Sequence, residues 1–369
     1  MMTPQRKKAE ALYVHVPFCD AICSYCDFAH VVYQKELVQK WLSALRKEME
    51  MYPISSSLKT IYIGGGTPSV LSLKELDAML SLFDPYRKDV IEYTMEVNPE
   101  TVNADKASCM VMHGVNRVSM GLQTSDDALL RRIGRRHTFA DVKQAVSILH
   151  QAGIDNLSLD LMYSLPDQTM AILQKSVQDA VSLEPEHLSL YALTIEANTV
   201  FGRTGIKSLD EDSEADMYEW ICRTLPACGY QQYEISNFAH AGYESRHNLT
   251  YWHYEDFIGL GCGASGKENH ARYDHTKNIR TYLKDPAHRD MIPLSREDEE
   301  FEMVMMNLRL KKGMKLSAYR DRFDEDYRVR FGKKSQKLME KGLLEEKDGW
   351  IRATDRGYEI LNSVLVELM

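Results

Sequence analysis

Several classes of sequence feature are absent from this chain of 369 residues. No apolar run approaches the roughly 20 residues of a membrane-spanning helix, and no apolar signal-peptide segment follows the basic start MMTPQRKKAE. Internal repeats and low-complexity tracts are also absent. Positive charge is not in excess, because 45 basic and 54 acidic side chains leave a net charge of −9, which argues against non-specific nucleic-acid binding. These absences predict a cytoplasmic globular protein with no membrane span.

Cysteine is scarce, and its spacing is uneven. Four of the seven cysteines are scattered and are interpreted as small core residues: Cys109, Cys222, Cys228 and Cys262. Cys19, Cys23 and Cys26 instead fall within eight residues, directly after an apolar run. Three such thiolates can hold an iron–sulfur cluster and leave one iron open. A structural zinc, with His15 or His30 as the fourth ligand, is the alternative.

Short apolar runs alternate with helical patterns in the first half of the chain. Six runs are predicted as strands: Leu12–Val16, Thr60–Ile63, Glu92–Val97, Arg117–Leu122, Asn156–Leu161 and His187–Leu193. Apolar residues at helical spacing predict helices over Leu37–Met49, Leu73–Leu82, Ala104–His113, Phe139–Gln151 and Met170–Leu183. Strands separated by helices pair in parallel, so the sequence predicts an α/β sheet or partial barrel with its chemistry at the carboxyl ends of the strands.

This regular alternation fades near Ala197. A helix over 212–225 is followed by a polar loop, AHAGYESRHNLTYW, and by a glycine-rich stretch, IGLGCGASG. The last 61 residues carry 15 basic and 11 acidic side chains, and we interpret them as a helical, winged-helix-like domain that packs or acts as a lid. Asp348-Gly349 predicts a hairpin turn, and Thr354 predicts the N-cap of a final helix through Leu365. The predicted divisions are 1–205, 206–300 and 301–369.

The cysteine spacing resembles the signature of radical S-adenosylmethionine (SAM) enzymes. Six ordered motifs resemble the anaerobic coproporphyrinogen III oxidase family: VHVPFC, IYIGGGTPS, MEVNPE, MGLQTSD, RRIGRRH and DLMYSLPDQT. The resemblance runs through most of the chain and implies a partial (β/α)6 barrel. It also implies a [4Fe–4S] cluster on Cys19, Cys23 and Cys26, with SAM bound at the open iron.

The same resemblance implies a set of SAM-binding residues near successive strand ends. Gly65, Gly66 and Thr67 lie in a glycine loop that lets backbone approach the methionine end of SAM, and the alternative is a plain tight turn. Glu96 is placed to meet an amino group or ribose hydroxyls. Tyr13 matches a tyrosine that approaches SAM, although alone it would be interpreted as a buried strand aromatic.

Three further positions complete this implied set: Gln123, Arg135 and Asp160. Arg135 suits a carboxylate through its paired donors, and Asp160 suits a ribose. The alternatives are that Arg136 takes this role or that Arg135 forms a surface ion pair.

Departures from the family pattern narrow the function. The pattern of the oxidases is Cys-x3-Cys-x-Phe-Cys-x-Cys, but here Tyr25 replaces the phenylalanine and Phe28 replaces the fourth cysteine. The oxidases also carry an N-terminal extension, whereas 18 residues precede Cys19 here. These features resemble the HemW-type haem chaperone branch. The segment HNLTYW matches an HNxxYW motif associated there with haem, which implies His247 as a haem ligand. Three other histidines remain alternatives: His253, His270 and His275.

The resemblance therefore implies a haem chaperone that binds haem, a [4Fe–4S] cluster and SAM. It would pass haem to an unidentified acceptor protein, and it would need an electron donor if SAM is cleaved. The alternative is an oxygen-independent coproporphyrinogen III oxidase, so whether the protein is an enzyme stays open. A DNA-binding winged-helix protein would leave the strand-end motifs unexplained.

Overall fold

The computed structural model describes residues 8–52 and 54–369. In chain order the strands are β1 (Ala11–Val16), β2 (Phe18–Cys19), β3 (Val31–Val32), β4 (Thr60–Gly65), β5 (Glu92–Val97), β6 (Arg117–Gln123), β7 (Asn156–Tyr163), β8 (His187–Ala192), β9 (Gln231–Gln232), β10 (Asn237–Ala239), β11 (Phe257–Leu260), β12 (Ser265–Glu268), β13 (Ala271–Asp274), β14 (Asp290–Pro293), β15 (Met314–Lys315), β16 (Leu344–Lys347) and β17 (Trp350–Ala353).

The α-helices are α1 (Lys35–Met51), α2 (Leu73–Leu80), α3 (Ala104–Met112), α4 (Asp127–Arg132), α5 (Phe139–Ala152), α6 (Met170–Val181), α7 (Val200–Thr204), α8 (Glu211–Ala227), α9 (Arg246–Trp252), α10 (Ile279–Lys284), α11 (Arg296–Leu308), α12 (Leu316–Phe323), α13 (Tyr327–Glu340), α14 (Asp355–Glu359) and α15 (Leu361–Leu368). Short 3-10 helices cover Pro68–Val70, Asp84–Asp89 and Pro99–Thr101.

Twelve of these strands form one sheet, in the order β14-β13-β12-β11-β1-β4-β5-β6-β7-β8-β10-β9. The seven strands from β11 to β8 in that order pair in parallel. Six of them match the six predicted strands, and the predicted helices follow as crossovers. The predicted α/β class with a mostly parallel sheet is therefore confirmed.

Successive side chains along the strands point alternately to an apolar outer layer and to a polar interior. Leu12 and Val14 on β1 are fully buried in the main hydrophobic core. The alternate residues Tyr13 and His15 contact one another instead, with the Tyr13 hydroxyl 3.0 Å from His15 Nδ1. On β4 the Tyr62 hydroxyl reaches the next strand. The interior therefore holds polar groups that a purely structural sheet would not bury.

Residues 206–300, predicted as a linking region, contribute strands β9 to β14 to the same sheet. β11 extends the parallel part beyond β1, and β12 to β14 continue it antiparallel. Met217, Ile221 and Leu225 of α8 join the main core. No helix among the described residues is long and apolar enough to cross a membrane.

The C-terminal part has a second core and a three-stranded sheet, β15-β17-β16. Asp348 and Gly349 have φ of 52° and 77°, as the predicted hairpin turn requires. Thr354 accepts a hydrogen bond from the Gly357 amide at 3.1 Å and caps α14. The predicted helix through Leu365 is wrong in one respect, because Ile360 leaves helical geometry at φ −116° and ψ 34° and separates α14 from α15.

Candidate functional site

The three clustered cysteines lie on one loop at the carboxyl end of β1. Cys19 is buried on β2, and Cys23 and Cys26 are half-buried. The Ser24 amide donates to the Ile133 carbonyl at 3.0 Å, which ties the loop to the segment after β6. The loop is thus fixed by the protein's own backbone. Of the scattered cysteines, the core interpretation is wrong for Cys228, which is exposed at the end of α8.

The spread of the three sulfur atoms favours a cluster over zinc. A tetrahedral zinc with Zn–S bonds near 2.3 Å would bring its sulfur ligands to about 3.8 Å from one another. Among the described residues, these cysteines do not form a group whose ligand atoms all lie within 4.8 Å. His15 cannot complete a zinc site without rearrangement, because its Nε2 donates to the Ala29 carbonyl at 2.8 Å. His30 Nδ1 lies 3.8 Å from Cys26 Sγ. An iron–sulfur cube, which binds each thiolate on a different iron, fits the separated sulfur atoms.

The electrostatics of the loop also suit an anionic cluster. Burial raises the pKa of Cys19, and burial raises the pKa of Cys26 to about 11, with the neighbouring thiolates adding to the rise. The guanidinium of Arg135 lies 3.7 Å from Cys23 Sγ and supplies positive charge at the loop. Bound metal would stabilise the thiolates, which burial alone disfavours.

The glycine triplet, residues 64–66, spans the end of β4 and packs directly on the cysteine loop. A Cβ at Gly66 would lie 2.7 Å from the Phe18 carbonyl oxygen and 3.0 Å from Cys19 Sγ. Gly65 has a φ of 109°, in the region that favours glycine. The next residue, Thr67, points its hydroxyl at Cys19 Sγ over 3.8 Å. The protein's own packing therefore requires these glycines, in addition to any approach of a ligand.

Glu96 lies on β5 beside this triplet. Its carboxylate accepts hydrogen bonds from the Gly65 amide at 2.9 Å and from the Tyr62 hydroxyl at 2.8 Å. Burial raises the pKa of Glu96 to about 7, and the two hydrogen bonds oppose this rise. A buried carboxylate that titrates near neutrality is suited to receive a cationic amino group. Tyr13 packs against Tyr62, with ring centroids 6.1 Å apart.

Arg135 links the cysteine loop to two strand ends. It donates to the Asn98 side-chain oxygen at 2.9 Å and to the Gly121 carbonyl at 2.8 Å. Gln123, at the end of β6, has a φ of 65° and follows an irregularity in the pairing with β7. Asn98 is not among the site residues predicted from sequence, although it lies in the motif MEVNPE. Asn98 also approaches Thr67 Oγ1 at 3.4 Å and so joins the glycine loop to Arg135.

Asp160 lies within β7, three residues before the strand ends at Tyr163, so the expectation that it ends the strand is wrong. The strand continues because Leu161 to Tyr163 pair with β8. Ser119 donates to Asp160 at 2.9 Å, and burial raises the pKa of its carboxyl. The structure therefore brings Thr67 and Arg135 to the cysteine loop, whereas Glu96 lies beside the glycine triplet and Asp160 contacts Ser119 within the barrel.

His247 lies elsewhere, on a helix at the amino ends of the strands. The predicted polar loop folds here into α9, whose N-cap is Ser245. His247 is fully buried, with Nδ1 2.8 Å from the Thr60 hydroxyl and Nε2 2.7 Å from the Tyr251 hydroxyl. Burial lowers the pKa of His247 to about 3, so the ring is neutral near pH 7. Both ring nitrogens are engaged within the protein.

Glu92 fastens α9 to the base of the barrel. This carboxylate, at the start of β5, accepts hydrogen bonds from the Arg246 amide at 2.8 Å and the His247 amide at 2.9 Å. An anion at a helix N-terminus satisfies amides that have no partner within the helix. Glu92 and Glu96 therefore hold α9 and the glycine loop from one strand.

The other face of α9 borders a cleft of about 1770 Å³ between the base of the barrel and the C-terminal part. Leu249, Thr250 and His253 face this cleft from α9. His253 follows the helix and is exposed. Partial desolvation lowers the pKa of His253, although the side chain is exposed, and a hydrogen bond with Asn307 opposes this shift. His270 also lines the cleft, whereas His275 is buried with Nε2 3.0 Å from the Glu48 carboxylate.

Comparison with known proteins agrees with this arrangement. The chain matches the Radical SAM superfamily over residues 13–180 and the HemN C-terminal domain over residues 294–360. It is 37% identical over 372 residues to the haem chaperone HemW of Lactococcus lactis, covering 98% of both chains. It is 36% identical over 373 residues to HemW of Escherichia coli, covering 96% of this chain and 97% of that one.

A solved structure shares the fold. Coproporphyrinogen III oxidase (HemN) from Escherichia coli superposes with a TM-score of 0.83 at 20% identity, covering 97% of this chain and 89% of that chain. The Radical SAM match contains the three clustered cysteines and implies a [4Fe–4S] cluster and SAM as cofactors, as the sequence predicts. On its similarity to the HemW proteins over nearly the whole chain, this protein belongs to the HemW family of the radical SAM superfamily.

Proposed function

We propose that this protein is a haem chaperone that binds haem, a [4Fe–4S] cluster and SAM and transfers haem to an acceptor protein. The observation that carries the proposal is the similarity to HemW proteins, which are named haem chaperones, over nearly the full length of both chains. Cytoplasmic location and an unidentified haem-acceptor protein are part of the same proposal.

At the carboxyl ends of the strands, the residues would hold the cluster and SAM. Cys19, Cys23 and Cys26 would bind three irons, and Arg135 would balance their negative charge. Glu96 would receive the amino group of SAM. When bound, the cluster would supply an electron and an open iron for chelation of SAM.

The coproporphyrinogen oxidase alternative is weaker because the cysteine loop departs from the oxidase pattern. Phe28 stands at the position of the fourth cysteine in the oxidase pattern, and it is 64% exposed. A thiol is therefore missing at that position. The shared fold with HemN does not by itself support oxidase activity, since one fold can host different functions.

The cleft below α9 is the haem site that we favour. A porphyrin needs apolar contacts for its faces, cations for its propionates and a ligand for its iron. Met303, Phe323 and Trp350 line the cleft as apolar contacts, and Arg246 and Lys315 bring positive charge.

Among the histidines of this region, His253 is the better axial ligand. It lines the cleft from the end of the HNxxYW segment, and partial desolvation lowers its pKa, which favours the neutral form that ligates iron. His247, the ligand implied by the sequence, would have to leave both Thr60 and Tyr251 to reach haem. We assign His247 to positioning α9.

The test adds haem and coproporphyrinogen III separately to anaerobically reconstituted full-length protein. Saturable haem binding with a defined Soret band, and no release of carbon dioxide from coproporphyrinogen, is the expected result. Haem-loaded protein should then pass its haem to an apo-haem protein faster than haem is lost to buffer. Carbon dioxide release at catalytic turnover would replace the chaperone with the oxidase.

A further inference from the structure

A second group of metal-binding side chains lies on the outer face of the barrel, between α2 and α3. Asp77 is on α2, Cys109 is on α3, and His113 follows the end of α3. One ligand atom from each lies within 4.8 Å of the other two, the one group of three or more such residues found in the described part of the chain. Cys109 and His113 are buried, whereas Asp77 is exposed. This location differs from that of the cysteine loop, which lies at the mouth of the barrel.

The imidazole of His113 is held in the orientation that a ligand requires. Its Nε2 lies 3.1 Å from an Asp77 carboxylate oxygen, and its Nδ1 lies 3.1 Å from both oxygens of Asp84. Histidines that bind metals commonly donate their other ring nitrogen to a carboxylate, which fixes the ring and strengthens the ligand. Asp84 occupies that supporting position here.

A plain ion pair explains less of this geometry. A protonated His113 between Asp77 and Asp84 would satisfy the two carboxylates. It would give no role to the Cys109 sulfur, which the packing of α2 against α3 brings to the same point. Sulfur, imidazole nitrogen and carboxylate oxygen together form a donor set that zinc accepts, whereas magnesium and calcium prefer oxygen ligands alone.

We propose that Asp77, Cys109 and His113 bind one divalent cation of the zinc class, with water as the fourth ligand and Asp84 orienting His113. The cation would fasten α2 to α3 from outside the barrel. α2 follows the glycine loop, and α3 follows the segment that contains Glu96 and Asn98. The site would thus brace the two helices behind the SAM-binding loops. This inference does not depend on the proposed haem chemistry.

Cobalt provides the test, because thiolate-bound cobalt has a charge-transfer band. The full-length chain carrying Cys19→Ser, Cys23→Ser and Cys26→Ser removes thiolate binding at the mouth and serves as the parent. Titration with Co²⁺ alone should give one bound ion per chain and the thiolate-to-cobalt band. Adding Cys109→Ser should abolish the band, whereas adding Cys222→Ser, a half-buried cysteine on α8, should leave it unchanged.

Two further variants separate ligation from core packing, with far-UV circular dichroism as the folding check. Asp77→Asn changes an exposed side chain and should weaken Co²⁺ binding at least tenfold. Asp84→Asn should keep the band and weaken binding about 10- to 100-fold, as expected for a supporting carboxylate. A parent without the band, a band that survives Cys109→Ser, or full affinity in Asp77→Asn would each overturn the site.

Discussion

The hydroxyl of Thr60 and Nδ1 of His247 lie 2.8 Å apart inside the barrel, although 187 residues separate them in sequence. With Tyr251 on its other nitrogen, His247 packs into the base of the barrel. The HNxxYW segment therefore has two faces. One completes the base of the barrel, and the other borders the cleft.

His247→Gln should make the folded protein less sensitive to acid. The wild-type ring has a pKa of about 3 when folded and about 6.5 when unfolded, so only the unfolded chain takes up the proton between these values. Stability is lost as pH falls below 6.5, by about 2 kcal/mol at pH 5 for this group. Urea unfolding at pH 7 and pH 5 should show a loss smaller by about that amount in the variant.

His150→Gln is the matched control, because His150 is exposed on α5. It should retain the wild-type loss between pH 7 and pH 5. An unchanged loss in His247→Gln would mean that the ring is not buried neutral.

Haem titration of two alanine variants tests the histidine assignment. His253→Ala should weaken haem binding and shift the Soret band, because it removes the imidazole that faces the cleft. His247→Ala should retain the wild-type Soret position if α9 stays folded, since its ring does not contact the cleft. Both variants should keep their iron–sulfur absorption.

The double variant closes this comparison. Its haem spectrum should match that of His253→Ala. A Soret shift in His247→Ala alone would return the ligand to His247, and wild-type spectra in all three would exclude ligation by this segment.

The cysteine loop should hold about four irons per chain after anaerobic isolation, as a cube requires. Cys23→Ser should abolish the brown colour and the labile sulfide, because it removes one of three thiolates. Cys222→Ser should retain both, since Cys222 is a half-buried cysteine on α8, away from the cysteine loop. Zinc that is bound in the wild type without labile sulfide, and lost in Cys23→Ser, would contradict the cluster.

Asp160→Asn should lower SAM affinity about 10- to 100-fold, the effect of losing a charge-assisted hydrogen bond of about 1.5–3 kcal/mol. Isothermal calorimetry on cluster-loaded protein measures this change. Asp167→Asn is a suitable control, because Asp167 has a 75% exposed side chain and a φ of 69°, which asparagine tolerates. Equal affinities in the two variants would make Asp160 a structural residue.

SAM affinity should rise with pH through neutrality. Glu96 has a pKa of about 7, and only its ionised form attracts the amino group of SAM. Between pH 6 and pH 8 the ionised fraction rises about tenfold, so the affinity should rise by a similar factor. Glu96→Gln should bind more weakly at pH 8 and lose most of this slope. A parallel slope in both proteins would place the titrating group elsewhere.

The strands that alternate with long helices could be predicted from sequence because each has five or more residues with a clear apolar pattern. β11 has four residues in a glycine-rich stretch, which gives no comparable signal. Asn98 meets Arg135 across 37 residues, a contact that only the tertiary fold creates. α9 did carry a local signal, since Ser245 accepts a hydrogen bond from the Asn248 amide as an N-cap. The surrounding glycine and polar residues obscured that signal.

β5 fixes the distance between α9, which Glu92 holds, and the glycine loop, which Glu96 holds. Glu96 is four residue steps along β5 from Glu92, which corresponds to about 13 Å along a strand. Haem on the outer face of α9 would lie farther still from the cysteine loop, so the two cofactors cannot share a ligand. A haem acceptor at the base and an electron donor at the mouth could then occupy the protein together, each without displacing the other.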